Sequence, residues 1–471
     1  MKLPRKCRVF LLAVAGLFIL WLVYYAAVSV VYGLKLRSLR AQVKAEGSSL
    51  NLLDLAPKPV PREENAARWY QAASLVKNPL YFGRGKADAQ ETAAVEAYTA
   101  FFSAKPEERA KVVAEKHAGL SLYLDRNKLA LRFLHEGAKY DRGYFELDYA
   151  DGGNMKLPHL AEFRDSARML SLEAWLAATD GDAHRACQAV WAGLRLRRSI
   201  EKEPILIGFL VGNALDMLAL RTLPEILAMV NPNPEDLRLI LTELQALDRQ
   251  RFRRAVEGER ALNAGHMESA RKNGVGAVLH NEVGGYDREC PTAPETALIR
   301  ILNGSLVDQA FSLSFMNRFV EAASRLETLS DEEMSHWAVD EATAAHRAGT
   351  SIGSKYYHLL SGKFLPAIGY SLCEAKRDLA RHDVTACGIA AELYRLDHGT
   401  YPLSLDMLAP KYLAAVPQDV FSGKPLLFES LPNGVLIQSV GPYQRRLGDS
   451  ESVPPTPPIT WRIERPSPAQ P

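Results

Sequence analysis

Read as a string of apolar and polar positions, the chain opens on 26 residues without a charge, Val9 to Leu34. At 1.5 Å per residue that run can cross a hydrocarbon layer roughly 30 Å thick with some tilt, so it predicts a transmembrane helix over 9–34. Trp21, Tyr24, Tyr25 and Tyr32 weight its second half towards an aromatic interface belt. The alternative, a cleaved signal peptide, would carry an apolar region of only about 7–15 residues. The basic stretch that follows is expected to continue the helix and stop at Gly47. Pro57, Pro59 and Pro61 then enforce an extended linker, so that 35–62 reads as a juxtamembrane helix and linker.

From about residue 63 to 271 the apolar positions recur at helical spacing. Leu160, Phe163, Ala167, Leu170, Ala174 and Ala177 fall three and four apart on one face. Thr179-Asp180-Gly181-Asp182 interrupts the pattern, and Cys187, Val190, Trp191 and Leu194 resume it, which predicts an antiparallel helical hairpin. Pro204 to Leu215 is uncharged and has Gly208 and Gly212 at G-x-x-x-G spacing, but twelve residues cannot span a bilayer. A buried helix with close backbone packing is expected there. Residues 272–296, rich in glycine and interrupted by Pro291 and Pro294, read as a connector, with helical pattern returning over 297–369. The run 370–398 carries the stripe Leu379, Ala386, Ile389, Ala390, Leu393 and Leu396.

Period 2 appears only after that helix. Two short apolar runs, Leu426–Phe428 and Val435–Val440, flank Pro432-Asn433-Gly434 and predict a hairpin, closing a helix-plus-sheet module over 370–448. The tail 449–471 is expected to be disordered, because seven prolines fall within its last 19 residues. The fold class is therefore mainly α: an irregular helical bundle with one N-terminal transmembrane helix and a small C-terminal α+β module.

Composition changes the picture in one respect. With 57 Lys plus Arg against 55 Asp plus Glu, the formal charge is +2, which gives no electrostatic reason to bind nucleic acid. The charges flanking the apolar run, four before and four after, leave its orientation undecided. A cytoplasmic stretch 1–8 with the large part outside is expected, since a long domain translocates regardless of a few flanking charges. The five cysteines, Cys7, Cys187, Cys290, Cys373 and Cys387, form no C-x-x-C and no regular framework, and a Cys187–Cys290 bridge stays open.

Searches for catalytic spacing find no H-E-x-x-H, G-x-S-x-G, phosphate-binding loop or dinucleotide fingerprint. The densest run of titratable residues holds His135, Glu136, Asp141, Glu146, Asp148 and Asp151, at irregular intervals that suit solvated loops better than an acid–base site. His184, His382 and His398 stand isolated in the sequence. Neither a catalytic residue nor a cofactor is implied.

Three resemblances add to this. The Gly-Asp turn of the predicted hairpin is similar to tetratricopeptide-type hairpins, without their 34-residue self-similarity. Tyr394, Gly399, Tyr401, Pro402, Leu408, Pro410, Tyr412, Leu413, Pro417, Asp419, Phe421, Gly423 and Pro425 follow in an order that resembles the major pseudopilins of type II secretion. That resemblance implies a helix capped by a small sheet and an extracytoplasmic location. It stops short of an assembly-competent subunit, because no Gly-Phe-type processing site precedes Val9. The calcium loop is poorly matched too: Arg445 and Arg446 stand where acidic ligands would help, and only Asp419 and Asp449 remain as metal candidates. Finally, Pro59, Pro61, Glu64, Asn65, Ala66, Ala67 and Tyr70 match a P-x-P-x-x-E-N-A-A-x-x-Y opening, and the whole chain resembles a set of single-pass bacterial envelope proteins. The resemblance implies location in the inner membrane, with the C-terminal part periplasmic, and brings no activity with it.

The expected function is a membrane-anchored, non-enzymatic scaffold that binds a protein partner in the envelope and contacts the bilayer through residues 9–34. The alternative is an envelope enzyme whose site is assembled from distant residues around His135, Glu136 and Asp148.

Overall fold

The apolar N-terminal run and the basic stretch after it form one helix, α1 (Arg5–Ala45), which ends where Gly47 takes a φ of 73°. The computed structural model describes residues 4–77, 89–274, 278, 292–351, 354–441 and 458–465. The apolar part of α1 is exposed and is long enough to span a membrane. Its last turns are not free: Leu36 and Val43 bury against Leu313 of the body.

The helical body follows as α2 (Ala67–Val76), α3 (Ala89–Ser103), α4 (Pro106–Arg126), α5 (Lys128–Ala138), α6 (Pro158–Thr179) and α7 (Ala183–Arg198). The predicted hairpin is α6 and α7. Gly181, at φ 80°, makes the turn, and the Asp182 carboxylate accepts from the Arg185 N–H at 3.0 Å to cap α7. Before α2, the Asn65 side chain accepts from the Ala67 and Tyr144 N–H groups and donates to the Tyr144 carbonyl. Tyr70 is buried over Gly137, where a Cβ would collide with its ring. The Asn-Ala-Ala-x-x-Tyr pattern is thus a clasp between two distant segments.

Next come α8 (Leu206–Leu220), α9 (Leu223–Met229), α10 (Pro234–Gln245) and α11 (Arg251–Asn273). Helix α8, whose one charged residue is the buried Asp216, is a core helix, with Gly208 and Gly212 set against Glu203 and Arg197. After the connector, α12 (Ala293–Ile301) begins a few residues earlier than its periodicity suggests, because Thr292 and Glu295 form a capping box. Then come α13 (Gly304–Ser324), α14 (Ala342–Thr350) and the long α15 (Ser361–His398). Helix α15 starts nine residues before the expected Tyr370. Its first N–H groups have no local cap; those of Leu360 and Ser361 donate to Asp308 of α13 at 2.8 and 3.2 Å.

Two cores lie along α15. One gathers α2–α7, α10, the C-terminal half of α15 and the sheet. The other gathers α11, α13 and the N-terminal half of α15. Strands β1 (Leu427–Leu431) and β2 (Gly434–Ser439) form the expected hairpin around Pro432-Asn433.

The tail corrects the sequence reading. Residues Ile459–Glu464 form β3, which pairs antiparallel with β2, so the sheet has three strands. Between the prolines of the tail lies an alternating segment that buries Trp461 and Ile463 while exposing Thr460 and Arg462. Proline count outweighed period 2 in the sequence, and burial of one indole reversed that balance.

Candidate functional site

The titratable groups singled out by sequence density do not converge. His135 Nε2 pairs with Glu173 at 2.8 Å, Glu136 with Lys139 at 2.6 Å, and Asp141 with Arg195 at 2.8 Å. Asp148 caps the turn at Ala150, and Glu146 and Asp151 are exposed. His184 pairs with Asp236 at 2.9 Å, and His398 stacks on Tyr394 with centroids 4.0 Å apart.

His382 corrects the reading of an isolated histidine. It is buried, and its Nε2 lies 3.0 Å from Asp216 Oδ2. Four helices meet here. Arg197 of α7 reaches Asp216 of α8 at 3.3 Å and Glu201 at 2.8 Å. Arg251 of α11 bonds both Asp216, at 3.5 Å, and Asp378 of α15, and Arg381 reaches Asp378 at 3.4 Å. Three guanidiniums face three carboxylates, so the charge balances without a proton on the imidazole. Burial pushes His382 down to about 4, helped by Arg251 and Arg197 and opposed by Asp216. Burial would raise Asp216, but Arg197, His382 and Arg251 together outweigh it and hold the carboxyl well below its ordinary range. At neutral pH the imidazole is therefore uncharged and its Nε2–H donates to Asp216.

Asp216, Asp378 and His382 place ligand atoms within 4.8 Å of one another, a spacing a metal ion could use. The same carboxylates already hold Arg251 between them, and Arg197 takes a second position on Asp216. A divalent cation would have to displace a guanidinium from a balanced network. The chemistry of the donor set is that of an ion-paired seam between the two cores.

The motif residues between Tyr394 and Pro425 are brought together as a structural unit. Gly399 ends α15 at φ 74°, its N–H donating to the Arg395 carbonyl at 2.8 Å. The Tyr401 hydroxyl donates to Glu392, Pro402 is buried, and Tyr394 meets Tyr412 edge-on. Gln418 and Pro425 bridge the loop that Pro417 enters, and Gly423 turns it at φ 65°. Asp419 is buried inside that loop. Its oxygens accept from the Phe421 and Val440 N–H groups at 3.1 and 3.0 Å, and from the Ser439 and Ser422 hydroxyls at 2.7 and 3.2 Å. These donors occupy the carboxylate as a loop-organising acceptor. Asp449, the other metal candidate, and Cys290 lie outside the described residues; Cys187 is a buried free thiol.

Sequence spacing missed a cleft of about 250 Å³ between α3, α4, α6 and α8. Arg109, Arg164, Arg168 and Arg221 line it over a floor that includes Phe101 and Phe102. Only Arg164 and Arg168, four apart on α6, were available as a local signal. Arg109 and Arg168 lie over the Phe101 and Phe102 rings at 5.7 and 5.9 Å. Among the described residues lining the cleft there is neither a carboxylate nor a histidine. Comparison of the chain with protein-family models, curated proteins and solved structures returned no match.

Proposed function

We propose that this chain is a membrane-tethered scaffold of the bacterial envelope, anchored in the inner membrane through residues 9–34, with its helical body in the periplasm and a protein as its partner. The observation that carries the reading is the continuity of α1 into the body. Leu36 and Val43 pack on Leu313 just past the apolar run. Asn317 donates to the Leu39 carbonyl at 3.3 Å, and Arg260 pairs with Glu46 at 2.9 Å. A helix gripped just beyond its apolar run holds the body at a set height and angle on the bilayer, which suits a docking platform better than a free-swinging catalyst. The resemblance of the Gly-Asp turn sequence to tetratricopeptide-type hairpins favours an interaction role, and that of the sequence from Tyr394 to Pro425 to pseudopilins favours an extracytoplasmic one. The rival reading as an enzyme asked His135, Glu136 and Asp148 to act together, and their separate partners weigh against it.

Protease added to spheroplasts should reduce the chain to an anchor-sized fragment; protection until lysis would reverse the orientation. Photo-crosslinkers placed on the exposed body should trap a defined adduct in cells, where an anchor-only control gives none. Adducts no different from that control would remove the scaffold reading.

A further inference from the structure

We propose that the arginine-lined cleft between α3, α4, α6 and α8 is a binding site for a small organic phosphate, its dianion held by guanidiniums and its apolar part resting on phenylalanine. Like charges are gathered here with little to offset them. Arg164 and Arg221 have neither an ion pair nor a side-chain hydrogen bond among the described residues. Arg168 has Asp165 at 3.7 Å, a carboxylate that Lys77 holds more closely, at 2.6 Å. The Arg109 Nε is buried without a hydrogen-bond partner. Burial and the nearby charge of Arg221 push Arg109 down, with Glu225 opposing. Like charges brought together in this way repel one another, and an anion between them relieves that repulsion.

The shape and lining choose among anions. Guanidinium forks match phosphate oxygens in pairs, and a dianion can engage two forks at once, whereas a monocarboxylate satisfies one. The walls are apolar: beside Phe101 and Phe102 stand Met217 and Leu218. A volume near 250 Å³ is below the range of drug-sized pockets and takes a phosphate with a ring-sized group attached. A nucleic acid strand would need a basic stripe, and the net charge of +2 provides no such excess. The phosphate could belong to a soluble metabolite or to a lipid headgroup, and the test separates the two.

The full chain in phosphatidylcholine nanodiscs is titrated calorimetrically with phenyl phosphate and with inorganic phosphate. Phenyl phosphate should bind at least tenfold more tightly than inorganic phosphate, and binding should weaken steeply between 50 and 200 mM salt. The Arg164→Gln/Arg221→Gln variant, altered at exposed positions, should melt at the unchanged temperature and lose at least tenfold in affinity. Equal binding by chain and variant, or no binding of either probe at millimolar concentration, would overturn the site. In nanodiscs containing phosphatidic acid, loss of phenyl phosphate binding identifies a lipid headgroup as the ligand, and retained binding identifies a soluble organic phosphate.

Discussion

A Cβ on Gly388 would overlap the indole ring of Trp461, so the last strand can dock on the long helix only because residue 388 has no side chain. The contact is anchored beside it by Arg465, which pairs with buried Glu392 at 2.9 Å and donates to the Val230 carbonyl at 3.0 Å. Gly388→Ala should therefore cost about 1–3 kcal/mol through overpacking, and Trp461→Ala about 3–5 kcal/mol through the cavity it leaves. Thermal melts check both. Removal of residues 459–471 should lower the melting temperature at least as far as Trp461→Ala, and an unchanged melt would show that the strand is dispensable.

The seam between the cores makes a second expectation. Arg251→Met leaves Asp216 and Asp378 buried with one guanidinium fewer, at a cost of about 3–5 kcal/mol. Adding Asp378→Leu should recover part of that loss, because the uncompensated charge goes with it. A double variant less stable than the sum of its singles would contradict the ion-pair account.

Acid should act on the same seam. The folded chain holds His382 near 4, while the unfolded chain takes the proton near 6.5. The unfolded state thus binds more protons between these values, and stability falls as pH drops through them, by about 3 kcal/mol at the lower end. His382→Gln should flatten that part of the stability–pH curve, while a loss below pH 4 from Asp216, still depressed by Arg197 and Arg251, remains. Melting temperatures across pH 4–7 for the two proteins distinguish the outcomes.

At the end of α15 the demand is on the backbone alone. Gly399 sits at φ 74° with open space around its α-carbon, so a side chain there meets no neighbour, only the left-handed conformation. Gly399→Asn should be nearly silent, Gly399→Ala should cost about 1–2 kcal/mol, and Gly399→Val more, since a β-branched residue is least suited to positive φ. Equal effects of Asn and Val would remove the conformational explanation.

In the loop before β1, Asp419→Ala strands the buried Ser439 hydroxyl along with the Phe421 and Val440 N–H groups. A loss of about 2–4 kcal/mol is expected. Added calcium should leave the melting temperature of the unaltered chain where it is, because protein donors already take both carboxylate oxygens. A calcium-dependent rise that disappears in Asp419→Ala would show metal binding instead.

Local pattern alone was enough for the apolar run of α1, the α6–α7 hairpin with its Gly181 turn and the β1–β2 hairpin. Each is a local matter: one stretch of chain contains both the pattern and the residue that ends it. Three features needed the fold. Helix α15 reads as an amphipathic stripe, yet Lys376, Asp378, His382 and Glu392 on its other faces are buried too. The partners that tie His382, Asp378 and Glu392 to the rest of the fold, Asp216, Arg251 and Arg465, lie 73 to 166 residues away, and no spacing rule links them. The third strand was hidden by its prolines, since only a buried site for Trp461 makes ordering that segment favourable. The arginine cleft draws on four helices, so its charge density exists in space and not along the chain. Side-chain period reports which face of an element avoids water; which charges meet behind that face is decided when the elements pack.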